Sequence, residues 1–457
     1  MGIKQVLLEA LRTRSGQAAA GMLIFMTSMS VVVPLLYPGD FLNRWSQPTA
    51  WLDNPRSVPP EWIQWFTGTR LPKSIDIRPD DFIKTNLSYV SFELKVITLR
   101  SDFVFDYDEF PSEIRAFMNA TSVRPAQVNV TWVRPDGENI TLFIGTPPST
   151  LRLSTDPDVI RAVRRWALDR GASDQDTVLP EVALFAKVDP GMLDPGRAQV
   201  LRGRYEIRMQ LVAFDLAADI SGRLLVYGKV YGWAGTDTQR RDLLVGLLWG
   251  APVALAFGTV AAVVSVLIQA ILGALGAYYG SYSDELIQRL ADFFLILPFL
   301  PILILISLVY SPGIWALLAV VIALGVVGGT TKVVRSIVLQ VKEELYVEAA
   351  KSYGVSRGRI LFRHIIPRIL PYTFANIALS VPVYIFLEAS ISFLGLGDPV
   401  LPTWGKLIGD AYGEAALFHG WWWWVTFPIS GILFVTVAFA LLGYSFDRIL
   451  NPRLREE

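Results

Sequence analysis

The stretch EAAKSYGVSRGRILFRHIIP, residues 348–367, decides how this chain is read. It is polar and basic, yet long apolar runs stand on both sides of it. Residues 342–353 are rich in Glu, Leu, Ala and Lys, which favour helix. Gly354 suits the left-handed position that ends a helix. Ser356 can cap a second helix running through Ile360, Leu361 and Phe362. Pro367 and Pro371 then mark the start of the next apolar run. The spacing predicts a helix, a glycine corner and a second helix on one face of a membrane. Taken by itself, the same pattern also describes an amphipathic interfacial loop held by its charge.

A membrane is demanded by the composition. Of the 457 residues 52% are hydrophobic, and mean hydropathy is +0.41, too apolar for an ordinary soluble chain of this length. Lys and Arg balance Asp and Glu at 41 each, so no basic excess argues for nucleic acid. The absence of cysteine excludes a disulfide, a thiolate metal site and a cysteine nucleophile. The two histidines, His364 and His419, are too few for a histidine-built metal centre. No G-x-x-x-x-G-K-[ST] run is present; GVVGGTTKV (325–333) has the glycines and lysine at the wrong spacing. No Ser/His/Asp arrangement stands out either. The expectation is a chain with no catalytic residues, no metal and no bound cofactor.

Six spans are expected. The first, AAAGMLIFMTSMSVVVPLLY (18–37), is long enough to cross a bilayer. Pro38-Gly39-Asp40 follows it instead of a small-residue cleavage site, which favours an uncleaved helix over the alternative, a signal peptide. The other five fall within residues 241–445. The run 243–279 exceeds one span and is either a tilted, protruding helix or a helix preceded by an interfacial segment. Further spans lie near 292–311, 313–331, 369–394 and 421–445. Basic residues cluster in 1–17 (Lys4, Arg12, Arg14), in 332–368, and in the tail 446–457 (Arg448, Arg453, Arg455). With six spans these share one side, so both termini are expected in the cytoplasm and residues 38–240 outside. Pro252, Pro298, Pro301 and Pro382 are expected to kink spans. Trp421–Trp424 reads as an interfacial aromatic belt. Glu388 is the candidate polar residue of the translocation domain, because an ionisable group inside a span is costly and often functional. It stands near the Gly395/Gly397 turn, and a structural pairing competes with substrate contact. Asp292 is expected at the cytoplasmic start of the third span, in solvent.

Residues 38–240 read as a mostly β domain, large enough to bury its own core. YVSFELKVITL (89–99) and RYEIRMQLVAF (204–214) alternate as half-buried strands. QVNVTWVRPDGENITLFI (127–144) is a hairpin around Pro135-Asp136-Gly137. DPDVIRAVRRWALDRG (156–171) is a helix ended by Gly171. Thr236, Asp237 and Asp242 precede the second span and are expected to cap it. Asn86, Asn119, Asn129 and Asn139 each begin an N-x-[ST] sequence, whereas Asn376 and Asn451 do not. These four are candidate N-glycosylation sites of an exposed domain.

At this point the sequence resembles a known family. Glu348-Ala349-Ala350, Gly354 after three further residues and His364-Ile365-Ile366-Pro367 after nine more look like the EAA signature of permease subunits of ABC importers. GWAGTDTQRRDLLVGLLWGAPVAL (232–255), EASISFLGLGDPVLPTWGKLIGDA (388–411) and NPRLR (451–455) are similar to the dipeptide/oligopeptide branch, and to its second, C-type member. The resemblance covers about half the chain. It departs at Gln239-Arg240, where the branch more often has glycine and another residue, and in the outer region, which far exceeds the short segment expected.

The resemblance implies a fold, partners and a site. The fold is an all-α, six-helix type I ABC importer transmembrane domain, here with an inserted mostly β extracytoplasmic domain. The chain would form half of a translocation pathway as a heterodimer with a homologous permease. Two cytoplasmic ATP-binding subunits would bind ATP and Mg, an extracytoplasmic binding protein would deliver peptides or oligosaccharides, and lipid would surround the whole. Residues at about 342–366 would be coupling helices docking on an ATP-binding subunit, with Glu348, Ala349, Ala350, Gly354, Arg357, Arg359, His364 and Pro367 as the contact set. Ala349 and Ala350 would keep one face thin, and Arg357, Arg359 and Arg363 could meet acidic groups or anionic lipid. With the sequons, the resemblance points to an archaeal glycoprotein. Two other classes stay open: a membrane-anchored surface recognition protein, and a self-contained channel or secondary transporter.

Overall fold

The computed structural model describes residues 9, 12–36, 40–174 and 177–450. Lys4, Pro38, Gly39, Asn451, Arg453 and Arg455 lie outside the described residues, as does the Arg448 side chain. The chain divides into two units: Pro48–Asp242, and the described residues before and after it. The first boundary falls later than the expected residue 38. Residues 40–47 belong with the membrane helices because Trp45 is buried there, its ring filling the space beside Gly246.

The unit Pro48–Asp242 is an antiparallel β-sandwich. Its strands are β1 (Ile75–Ile77), β2 (Ile83–Tyr89), β3 (Leu94–Phe105), β4 (Glu113–Thr121), β5 (Ala126–Val133), β6 (Asn139–Gly145), β7 (Thr150–Leu151), β8 (Gly203–Ala213) and β9 (Asp219–Tyr227). One sheet has the order β2-β3-β8-β5-β6 and the other β1-β9-β4-β7. Alternation along β3 and β8 sends Ile97, Leu99, Phe103, Ile207, Met209 and Leu211 into one core. The expected hairpin 127–144 is β5 paired with β6. Its turn residue Asp136 accepts from Arg134 Nη2 (2.9 Å), whose buried guanidinium also donates to the Ala183 carbonyl (3.0 Å). The helix Pro157–Leu168 is capped by Asp156, which accepts from the Asp158 amide (2.9 Å).

The expected strand 89–99 is not one strand. The chain turns at Val90–Phe92, with Glu93 in the left-handed region (φ 51°), so residue 89 ends β2 and residue 94 starts β3. β2 itself alternates, with Ile83, Leu87 and Tyr89 against Lys84, Asn86 and Ser88, yet both its rows are exposed because it is the edge strand of its sheet. Thr236 and Asp237 do not cap a span. Both are buried inside the sandwich unit, where the Thr236 hydroxyl donates to the Pro55 carbonyl (2.8 Å) and Asp237 pairs with Arg241 (2.5 Å).

The membrane unit is helical. Its elements are α1 (Arg14–Leu36), α2 (Leu243–Tyr279), α3 (Ser281–Ile296), α4 (Phe299–Tyr310), α5 (Ile314–Leu324), α6 (Gly329–Val341), α7 (Leu345–Ser352), α8 (Arg357–Phe393), α9 (Trp404–Gly413) and α10 (Trp422–Leu450). Among the described residues α1, α2, α8 and α10 are each long and apolar enough to cross a membrane. The pairs α3–α4 and α5–α6 bend by 75° and 42°, giving up to six spans if each pair is one. α2 is a single 37-residue helix, about 55 Å long at 1.5 Å per residue. α2 packs on α8, α6 and α1, and α10 packs on α8 and α1.

Only part of the proline expectation holds. Pro298 sits in the break between α3 and α4, with Pro301 in the first turn of α4. Pro252 and Pro382 lie inside unbroken helices, because packed neighbours hold a helix through the loss of one hydrogen bond. Trp423 and Trp424 are buried and only Trp421 and Trp422 are half-exposed, so the tryptophan run is partly core and not a full belt. Asp292 pairs with Lys332 and Asp284 with Arg335 (2.6 Å), tying α3 to α6.

Candidate functional site

α7 begins after a turn at Lys342–Glu344 and ends at the glycine corner. The Gly354 amide donates to the Lys351 carbonyl (2.9 Å) and the Val355 amide to the Ala350 carbonyl (3.2 Å). With Gly354 at φ +76°, this is a Schellman motif, whose left-handed residue carries no Cβ penalty only as glycine. Val355, partly buried, packs against the same cluster as Ala350, the apolar contact that accompanies the motif.

The second helix is not separate. α8 runs from Arg357 to Phe393, through a π-helical turn at Leu361–Ile365. Both Pro367 and Pro371 lie inside α8 and neither starts a span. The wider turn stands where the Pro367 ring would press on the carbonyl four residues back, at Arg363. Ser356 holds the N-cap position, but its side chain makes no capping bond.

The corner is fixed from beneath. Val347, Ile360, Leu361 and Ile365 are buried with Ala270, Ala274 and Ala277 of α2 and Val334 and Val338 of α6. α7 is therefore packed against two membrane helices and the root of α8. Tyr346 lies beside the His364 ring (6.2 Å between centroids) and under the Arg368 guanidinium (5.6 Å).

Of the expected contact set, Glu348 and Ala349 on α7, Gly354 at the corner and Arg357 and Arg359 at the start of α8 are exposed, and Pro367 is exposed farther along α8. Ala350 is half-buried and turned toward the cluster below, so it does not share the outward face of Ala349. His364 is half-buried against Tyr346. Sequence reasoning missed three residues. Leu345, Tyr353 and Phe362 are 82%, 87% and 69% exposed. Large apolar groups in a basic loop were the available signal.

Glu388 lies inside α8 and is buried. Its carboxylate accepts from the Ser392 hydroxyl (2.6 Å) and also bonds the Thr403 side chain. Thr403 is the N-cap of α9, accepting from the Lys406 amide (3.2 Å). α9 lies backbone to backbone on α8. A Cβ at Gly405 would stand 2.3 Å from the Ala389 carbonyl oxygen, and one at Gly409 2.5 Å from that of Phe393. This four-residue spacing of glycines lets two helices approach closely. Trp404, buried at the start of α9, donates from Nε1 to the Leu247 carbonyl of α2 (2.8 Å). Glu388 thus seats α9 at the junction of α2, α8 and α10.

Of the four sequons, Asn86, Asn119 and Asn139 are exposed, whereas Asn129 is half-buried with its Oδ1 accepting from the Thr131 hydroxyl (3.4 Å). All four are in strands. Among the described residues no group of three or more His, Cys, Asp or Glu is placed to hold a metal.

Residues 269–456 match the family described as binding-protein-dependent transport system inner membrane component. The chain is 34% identical over 226 residues to the dipeptide transport system permease protein DppC of Bacillus subtilis (strain 168), covering 49% of this chain and 69% of that protein. It is 35% identical over 227 residues to the oligopeptide transport system permease protein OppC of the same organism, covering 49% and 72%. The glutathione transport system permease protein GsiD of Pectobacterium atrosepticum is 30% identical over 224 residues, 49% and 73%. Multi-pass helices and this likeness agree: the chain belongs to the inner membrane components of binding-protein-dependent transport systems, as an ABC permease of the DppC/OppC type carrying an additional β-sandwich.

Proposed function

We propose that the chain is one half of the translocation pathway of an ATP-driven importer, and that α7 with the start of α8 is its socket for a cytoplasmic ATP-binding subunit. The observation that carries this is the contrast between the two faces of the corner. Val347, Ile360, Leu361 and Ile365 anchor it to α2 and α6, while Leu345, Glu348, Ala349 and Tyr353 point away into solvent. A face that is apolar, exposed and rigidly backed is what a docking partner needs. The partner supplies ATP and Mg; this chain transmits the motion. A related permease completes the pathway, and an extracytoplasmic binding protein delivers the cargo. Short peptides are the proposed cargo, because the relatives are named for dipeptides, oligopeptides and glutathione; oligosaccharides are the second class to be assayed. The termini lie in the cytoplasm and the sandwich outside, where its sequons can be glycosylated, as on an archaeal surface.

The test is co-purification with the ATP-binding subunits and measurement of ATP-driven peptide uptake in vesicles. Glu348→Lys and Gly354→Val are expected to weaken the complex and abolish uptake. Intact assembly and full uptake with both changes would refute the docking assignment.

A further inference from the structure

We infer that the sandwich unit carries a lipid-contact face, made by the two connectors that lead from its strands to the membrane helices. Residues 57–61 run against residues 231–237: the Glu61 amide donates to the Gly232 carbonyl (2.9 Å), Tyr231 to Pro59 (3.0 Å), Thr236 to Val58 (2.9 Å) and Ser57 to Asp237 (3.0 Å). The Trp62 indole N–H closes the pair by donating to the Trp233 carbonyl (2.9 Å). The connectors are therefore one rigid element.

That element exposes large aromatic groups. Trp65, Phe66 and Trp233 are 78%, 77% and 67% exposed, and Trp62 packs edge-on to Phe66 (6.0 Å). Trp62, Trp65 and Trp233 border a cleft of about 480 Å³ whose charged groups, Glu61 and Lys73, pair with each other (2.6 Å). Burying such a face in a protein core would remove it from water; no described residue of the unit does so. Tryptophan with a free apolar body and a polar N–H is the side chain that settles at the headgroup boundary.

Chain connectivity selects lipid as the occupant. Trp233 stands ten residues before Leu243, where a helix long and apolar enough to cross the membrane begins. The opposite pole of the sandwich lies one strand length away, about 30 Å for nine residues of β9. Val123, 90% exposed in the turn after β4, marks that pole.

The absence of cysteine makes the test direct. Single-cysteine variants Phe66→Cys, Trp233→Cys and Val123→Cys of the full chain are spin-labelled and placed in nanodiscs of phosphatidylcholine and phosphatidylglycerol. Collision with oxygen and with a water-soluble nickel chelate is then measured. The labels at 66 and 233 are expected to meet oxygen readily and nickel several-fold less than the label at 123. Nickel accessibility at 66 and 233 equal to that at 123 would overturn the inference. Shielding from both reagents would overturn it too, showing that protein covers the face. The readout needs neither ATP-binding subunits nor transport, so it stands or falls apart from the docking assignment.

Discussion

Gly405 and Ala389 touch backbone to backbone: a Cβ added at Gly405 would lie 2.3 Å from the Ala389 carbonyl oxygen and 2.5 Å from its Cα. No rotamer relieves a clash with main chain, so Gly405→Val must lift α9 off α8. An overpacked core costs about 1–3 kcal/mol. The expected result is a lower melting temperature in detergent and loss of uptake. Gly413→Ala is the control, since a Cβ there meets nothing within 4 Å; it should leave both unchanged.

Glu388 separates a structural from a substrate-binding role. If its task is to accept from Ser392 and bond Thr403, Glu388→Gln keeps an acceptor oxygen and should retain stability and uptake. Glu388→Leu strands two buried hydroxyls and should cost about 1–3 kcal/mol. Should Glu388→Gln keep full stability yet lose uptake, the carboxylate contacts cargo and the seating role is secondary.

The corner at Gly354 was legible because each local rule pointed the same way: helix formers, then a glycine, then a run of apolar positions. What lay beneath it was not. Ala350 turns with Val347 toward the cluster while Ala349 faces solvent, and only the register of α7 against α2 says which of the two alanines faces inward. Asp237 shows a different blindness. Beside a span, a Thr-Asp pair reads as a cap; the Thr236 partners Pro55 and Val58 are tertiary and leave no local trace, while Asp237 pairs with Arg241 four residues on. In the sandwich, β8 alternates and buries its apolar row; β2 alternates as well, Ile83, Leu87 and Tyr89 against Lys84, Asn86 and Ser88, but at the sheet edge both its rows stay exposed, so alternation alone does not say which strands enclose the core.

Gly354 tests the corner without touching its packing. A Cβ there meets nothing within 4 Å, so Gly354→Ala carries only the left-handed backbone penalty, roughly 1–2 kcal/mol. Hydrogen exchange across residues 345–360 should quicken while the rest of the chain is unchanged. Gly354→Asn, which tolerates this region better, should fall between alanine and the parent.

The sequons differ in access. If the native protein is glycosylated, peptide mass spectrometry should find sugar at Asn86, Asn119 or Asn139 before Asn129. Asn129 is half-buried in β5, so a sugar on its Nδ2 has less room than on the three exposed asparagines. A glycan on Asn129 alone would contradict this order.

Asp76 gives the sandwich a pH-dependent clasp. Arg223 of β9 donates from Nε to Asp76 Oδ1 (2.7 Å) and from Nη2 to Oδ2 (3.0 Å), and its Nη1 reaches Asp53 (2.9 Å). The clasp holds β1, three residues long, on the sheet edge. Arg223 holds the Asp76 carboxyl below its ordinary value of 3.8. A carboxyl depressed on folding stabilises the folded state above its unfolded value and stops doing so as pH falls through the folded one. Asp76→Asn should therefore speed amide exchange in residues 75–77 at neutral pH, by an amount matching about 1–3 kcal/mol for a charge-assisted pair. The parent and the variant should converge well below pH 3.8, where the parent's carboxyl is protonated as well. A difference that persists unchanged into that acid range would mean that the side chain's shape, and not its charge, holds β1 in place.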